Sequence, residues 1–141
     1  MQRLELPGAV VFQAGEHTLL VDCPEGTAQA WLDAGLPEEG PTALSFTSGD
    51  WPRIAGLYGL LGHFSLERSA PLRLLVDMRG QEVEQLAGAF MRSNPAHLSV
   101  EADWPGSQLR VGSLRLRSRA QGEGLVWNVN GHQVAPLDAD P

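Results

Sequence analysis

Apolar positions in this chain change their period several times, and each change marks an element. Ala9-Val10-Val11-Phe12 and Thr18-Leu19-Leu20-Val21-Asp22 predict two short strands joined by a tight turn at Ala14-Gly15-Glu16. Gly26 to Ala34 predicts a helix stopped by Gly35. Ala43-Leu44-Ser45-Phe46-Thr47 predicts a buried strand, after which Ile54, Leu57, Tyr58 and Leu61 recur at helical spacing. Leu72 to Asp77 predicts another strand. Val83, Leu86, Ala87 and Phe90 then share one helical face, which Asn94-Pro95 ends. The rest predicts strands: His97 to Ala102, Gln108 to Val111, Leu114 to Ser118, Leu125 to Asn130 and Gln133 to Ala135. Gly112-Ser113 and Asn130-Gly131 stand where hairpin turns are expected. Two strands, then strand–helix alternation, then a run of strands suit a mixed sheet with helices on one side.

Composition narrows the class. The 141 residues, 43% hydrophobic and 19% charged, suit one folded domain spanning 1–141. No apolar run approaches the roughly 18 residues of a membrane-spanning helix. Met1 to Pro7 has no apolar core and no small-residue cleavage site, so it does not read as a signal peptide. The single Cys23 excludes an internal disulfide framework. A cytoplasmic protein without a membrane partner is the expectation. Net charge is −7, and all ten basic residues are Arg. Such an acidic chain disfavours broad nucleic-acid binding unless charge is locally segregated.

Three segments together carry a family resemblance. Leu19-Leu20-Val21-Asp22-Cys23-Pro24-Glu25-Gly26-Thr27-Ala28-Gln29 resembles an apolar strand ending in Asp-Cys-Gly-Glu-Gly-Thr, with Pro24 in place of a glycine and Ala28 between the Thr and the Gln. Leu44-Ser45-Phe46-Thr47 and Ile54 to Leu61 resemble the flanks of a His-x-His-x-Asp-His metal motif, separated by a gap of the right length, Ser48 to Arg53. Pro71 to Gly80 resembles the next strand and its glycine turn. The family so marked is the metallo-β-lactamase fold, in its ribonuclease Z branch. The resemblance covers roughly residues 8–135 and is strongest over 19–92. It implies an α/β, more narrowly α+β, αββα sandwich: a mixed sheet with helices outside, of which this length would hold about one half and part of the next.

Within the motif the match fails. Ser48, Asp50, Pro52 and Arg53 stand where the resemblance places the first histidine, the second, the aspartate and the last histidine. A dinuclear site needs neutral imidazoles and carboxylates converging on two cations. Serine is a poor zinc ligand and proline none. Arg53 would add a permanent cation where the metals belong. The expectation is therefore no cofactor and no catalytic residue, with Zn or Mn as the alternative. A later family histidine is also missing: after Leu114 to Ser118 comes Arg119-Ala120-Gln121-Gly122-Glu123.

Other residues carry competing readings. Asp50 is either a surviving ligand or a helix cap before Pro52. Asp22 is a pocket remnant or a strand-end residue bonding loop amides. Asp22, Glu25, Asp50, Trp51, Arg53 and Glu123 make up the candidate remnant pocket. Glu123, Asp138 and Asp140 could join Asp50 in an oxygen-only site for Mg²⁺ or Ca²⁺, or could simply keep the chain soluble. His17, His63, His97 and His132 are scattered and read as surface or satisfied residues. Cys23, present in the family without a chemical use, reads as core. Trp51 either plugs the former metal cavity or sits exposed at an interface; Trp31, Trp104 and Trp127 are the other tryptophans. Arg115, Arg117 and Arg119 alternate with Leu114, Leu116 and Ser118, with Arg110 nearby. They form either an anion or nucleic-acid contact row or the solvent face of an amphipathic strand.

The leading expectation is a catalytically inactive ribonuclease Z-like protein with an interaction or scaffolding role. It would self-associate as a homodimer or with a paralogue, because a half-sandwich should leave an apolar sheet face to cover. The alternatives are a residual metal-dependent hydrolase of phosphoesters, RNA or thioesters, with carboxylates replacing histidines, and a non-catalytic RNA-binding module.

Overall fold

The computed structural model describes residues 1–48, 50–64, 72–77, 98–103, 108–122 and 124–135. The first two predicted strands are present as β2 (Ala9–Ala14) and β3 (His17–Val21). A further strand, β1 (Gln2–Leu6), precedes them and pairs antiparallel with β2. Sequence reading passed over β1 because only Leu6 within it is buried; its four other residues are exposed or half-buried. The local signal was Pro7-Gly8, a dipeptide suited to turns, with Gly8 at φ 73° between the paired Leu6 and Ala9.

Beyond β3 the pairing becomes parallel. The strands β4 (Ala43–Ser45), β5 (Leu72–Asp77) and β6 (Leu98–Asp103) extend the sheet in chain order, giving six strands β1-β2-β3-β4-β5-β6. The crossover β3→β4 passes through α1 (Thr27–Asp33). The crossover β4→β5 passes through α2 (Trp51–Ile54) and α3 (Leu57–Phe64). Parallel neighbours need such connections, whereas β1 to β3 need only tight turns. The predicted helix around Ile54 is two short helices, and between them the Gly56 N–H donates to the Cys23 carbonyl at 2.8 Å rather than to a helical one.

A second, antiparallel sheet has the order β10-β9-β8-β7: β7 (Gln108–Val111), β8 (Leu114–Gln121), β9 (Gly124–Val129) and β10 (His132–Val134). The β9–β10 hairpin turns on Asn130 and Gly131, both at positive φ (50° and 92°), as the Asn-Gly dipeptide predicts. The mixed α/β architecture with two sheets is the one the resemblance implies.

Period-2 alternation divides the first sheet between two cores. Val11, Leu20, Leu44 and Leu74 face the helices and pack with Trp31, Leu57, Leu60, Leu61 and Phe64. Val10, Phe12, Leu19, Val21, Ala43 and Leu75 face the second sheet and pack with Val111, Leu114, Leu116, Leu125, Trp127 and Val129. The described layers therefore run helices, mixed sheet, antiparallel sheet. The described apolar side chains on both faces of β2 to β5 thus pack within the chain. The inner face of the second sheet is buried within the chain, and its outer face carries Arg115, Arg117 and Arg119, all exposed. The predicted helix over Val83 to Phe90 lies outside the described residues, as do Glu123, Asp138, Asp140, His97 and Trp104. Among the described residues no helix is long and apolar enough to cross a membrane.

Candidate functional site

The degenerate motif lies at the C-terminal ends of β3 and β4. Ligands gather at such strand ends in sheets with parallel strands, because the chain leaves the ladder there and its polar groups become free. Asp22 follows β3 with φ 69°, a backbone region few non-glycine residues adopt. Its amide donates to the Ser45 carbonyl at 2.8 Å. Its carboxylate accepts two bonds from Thr47: from the backbone N–H at 2.8 Å and from Oγ1 at 2.6 Å. These bonds explain why β4 stops at Ser45 rather than Thr47: the Thr47 N–H bonds a carboxylate instead of a strand of the same sheet. Asp22 is 3% exposed. Burial pushes its carboxyl above the ordinary range, opposed by the two Thr47 bonds and by the positive charge of Arg53.

Arg53 belongs to the same knot. Its carbonyl accepts from Cys23 N–H at 2.8 Å, and the Cys23 carbonyl accepts from Gly56 N–H at 2.8 Å. Gly56 has to be glycine: a Cβ there would lie 2.0 Å from the Pro24 carbonyl oxygen, and backbone cannot move aside. Cys23 is fully buried, and burial pushes its thiol up to about 12; a Thr27 hydrogen bond opposes this and the Asp22 charge adds to it. That thiol stays protonated and unreactive. Thr27 Oγ1 donates to the Pro24 carbonyl at 2.6 Å, closing the turn into α1.

Among the other described residues of the remnant pocket, Arg53 is the one that acts on the Asp22 carboxyl. Glu25, Asp50 and Trp51 are exposed, and Ser48 and Arg53 are half-buried. Trp51 is 65% exposed, so the indole does not plug a cavity. Asp50 takes the N-cap position of α2, but its side chain makes no capping hydrogen bond. Its backbone amide donates instead to Ser48 Oγ at 3.2 Å. Pro52 lies in the first turn of α2, where its missing N–H costs no helical bond. Among the described residues no three of His, Cys, Asp and Glu gather at metal-holding distance.

A pair of zinc ions, as the resemblance implies, does not fit these side chains. One exposed carboxylate, a hydroxyl and a guanidinium stand at the three imidazole positions of the resemblance and a proline at its carboxylate position, and the guanidinium acts on the carboxyl of Asp22.

The loop after β4 is also tied to the second sheet, which sequence reasoning did not foresee. Leu125 N–H donates to the Thr47 carbonyl at 2.6 Å, and Trp127 Nε1 donates to the Phe46 carbonyl at 2.8 Å. Trp127 was legible only as one of four tryptophans. Its role depends on the sheet stacking.

The Arg row lies elsewhere, on the outer face of the second sheet. Arg115, Arg117 and Arg119 line an open cavity of about 440 Å³ with Gln108, Val126, Asn128, Asn130 and Gln133. Arg110 is the cross-strand neighbour of Arg115. Sequence reading missed the amide residues. Counting back from the Asn130-Gly131 turn would have paired Asn128 with Gln133 and, one strand over, with Arg117.

Known proteins place this architecture. No family model matches the chain. Human tRNase Z, short form, superimposes with a TM-score of 0.68 at 17% identity, covering 89% of this chain and 59% of that one. The metallo-β-lactamase fold protein YhfI from Bacillus subtilis superimposes with a TM-score of 0.67 at 18% identity, covering 89% and 52%. The chain is a metallo-β-lactamase-fold protein. Within that fold it is similar to ribonuclease Z: the protein of Pseudomonas putida strain GB-1 is 30% identical over 126 residues, 84% of this chain and 40% of that protein. The chain thus spans about 40% of the length of the curated relatives it matches.

Proposed function

We propose that this chain is a ribonuclease Z-like protein that has exchanged two-metal hydrolysis for binding. The observation that carries this reading is Arg53: it stands where the resemblance places a ligand histidine, and its carbonyl accepts the Cys23 N–H at 2.8 Å, next to the buried Asp22. A fixed cation there opposes a pair of divalent ions, and the Thr47 bonds occupy the Asp22 oxygens that would otherwise be free. The remnant is a structural knot that holds strand ends, loop and helix together.

The interaction role includes self-association through a homodimer or with a paralogue. Its support is Trp51 and Tyr58 on α2 and α3, 65% and 52% exposed, the large aromatic side chains that the described residues leave in solvent. Sedimentation at increasing concentration checks this part; a strict monomer at high concentration would remove it.

Metal content tests the main reading. Protein purified without chelator is expected to carry far less than one zinc or manganese per chain, and neither metal should raise its melting temperature. One or two metals per chain with a clear rise in Tm would overturn it, and phosphoesterase assays with Asp50→Ala would then decide whether a carboxylate site turns over.

A further inference from the structure

The outer face of the second sheet has a composition unlike the rest of the chain. Four of the ten arginines lie between residues 110 and 119, whereas only one of the seventeen acidic residues, Glu123, lies between 108 and 135. A net charge of −7 therefore hides a strongly cationic sheet. On β8 the alternation buried–exposed places Arg115, Arg117 and Arg119 on one face, about 7 Å apart along the strand. Among the described residues none of the three has an acidic partner within ion-pair distance.

Facing residues extend the donor set. Asn130 Oδ1 accepts the Arg115 N–H at 2.7 Å, and Asn128 Oδ1 accepts the Gly131 N–H at 2.8 Å. With both oxygens engaged, the NH₂ groups of these amides remain as donors. Among the described residues no carboxylate lines the cavity, and its apolar lining is Leu116 and Val126. A concave wall of guanidiniums and amide donors with no acceptor charge matches an anion with several oxygens, and arginine forks match phosphate in particular.

We propose that this cavity binds a small organic polyphosphate, of the size and charge of a nucleoside di- or triphosphate. Size and field select it over a long polyanion. The cavity of about 440 Å³ is that of a small-molecule site, and three arginines span only about 14 Å of strand. A long nucleic acid would run past this footprint onto a chain that is acidic elsewhere.

Titration of the full chain with inorganic triphosphate, a nucleoside triphosphate, orthophosphate and a single-stranded oligonucleotide at low salt, followed by calorimetry, tests the site. The triphosphates are expected to bind with one-to-one stoichiometry, more tightly than orthophosphate and more weakly as salt rises. Arg117→Ala should weaken them by about tenfold or more, consistent with losing a charge-assisted hydrogen bond. Its side chain is exposed, so an unchanged circular dichroism spectrum and Tm should accompany the loss; Arg3→Ala, on β1, should leave binding unchanged. Absence of triphosphate binding at low salt overturns the proposal. So does binding that Arg115→Ala and Arg117→Ala both leave intact, or oligonucleotide binding that exceeds triphosphate binding and grows with strand length. None of these readouts depends on the state of the metal motif.

Discussion

At the residue scale the chemistry concentrates in Asp22 and Cys23, and burial governs both. Because Asp22 is held above its ordinary value of 3.8, the folded chain binds that proton more tightly than the unfolded chain. Its contribution to stability is complete below about pH 3.8 and is lost as pH rises through the higher folded-state value. Asp22→Asn keeps both Thr47 contacts, one accepted and one donated, and removes the titration. Its melting temperature relative to the parent should therefore climb with pH across that window and then level off. A difference that stays constant from pH 4 to 7 would refute the buried titration. Cys23, with its thiol at about 12, should resist a thiol reagent at pH 8 in the folded chain and react fully once denatured. Sequence alone placed Cys23 in the core and offered Asp22 a strand-end role. It could not supply the desolvation, which comes with the burial of both residues in the folded chain.

At the element scale, register and turns follow from local chemistry, whereas element ends do not. Asn130-Gly131 and the Leu/Arg alternation of β8 were legible because each is set by backbone dihedrals or by the period-2 face of a strand. The end of β4 at Ser45 and the break between α2 and α3 were not, since each is decided by a partner distant in sequence. Gly56 shows why: its requirement comes from the Pro24 carbonyl, 32 residues earlier in the chain. Gly56→Ala is expected to destabilise by about 1–3 kcal/mol through overpacking against backbone, read as a lower denaturation midpoint. Gly59→Ala on α3, where an added Cβ meets nothing within 4 Å, should be neutral or stabilising.

At the scale of the whole molecule two sheets stack on one apolar layer, and Trp127 fastens them at the motif end. Trp127→Phe keeps much of the apolar bulk and deletes the indole N–H, stranding the Phe46 carbonyl. A loss of about 1–3 kcal/mol is expected, measured by denaturant unfolding. A variant as stable as the parent would mean that the bond contributes nothing net.

The sequence by itself determined the alternation of elements, the apolar faces, the hairpin turns and the family resemblance, and it put Ser48, Asp50, Pro52 and Arg53 in the motif gap. Those features are local: they depend on residue type, spacing and dihedral preference. Only the tertiary structure decided that Asp22 is bonded by Thr47 and acted on by Arg53, that Trp51 stands in solvent, and that the second sheet buries its apolar face inside the chain. The Asp22–Thr47 bonds join residues 25 apart and the Trp127–Phe46 bond joins residues 81 apart, and burial, which fixes their charge states and partners, exists only after that closure.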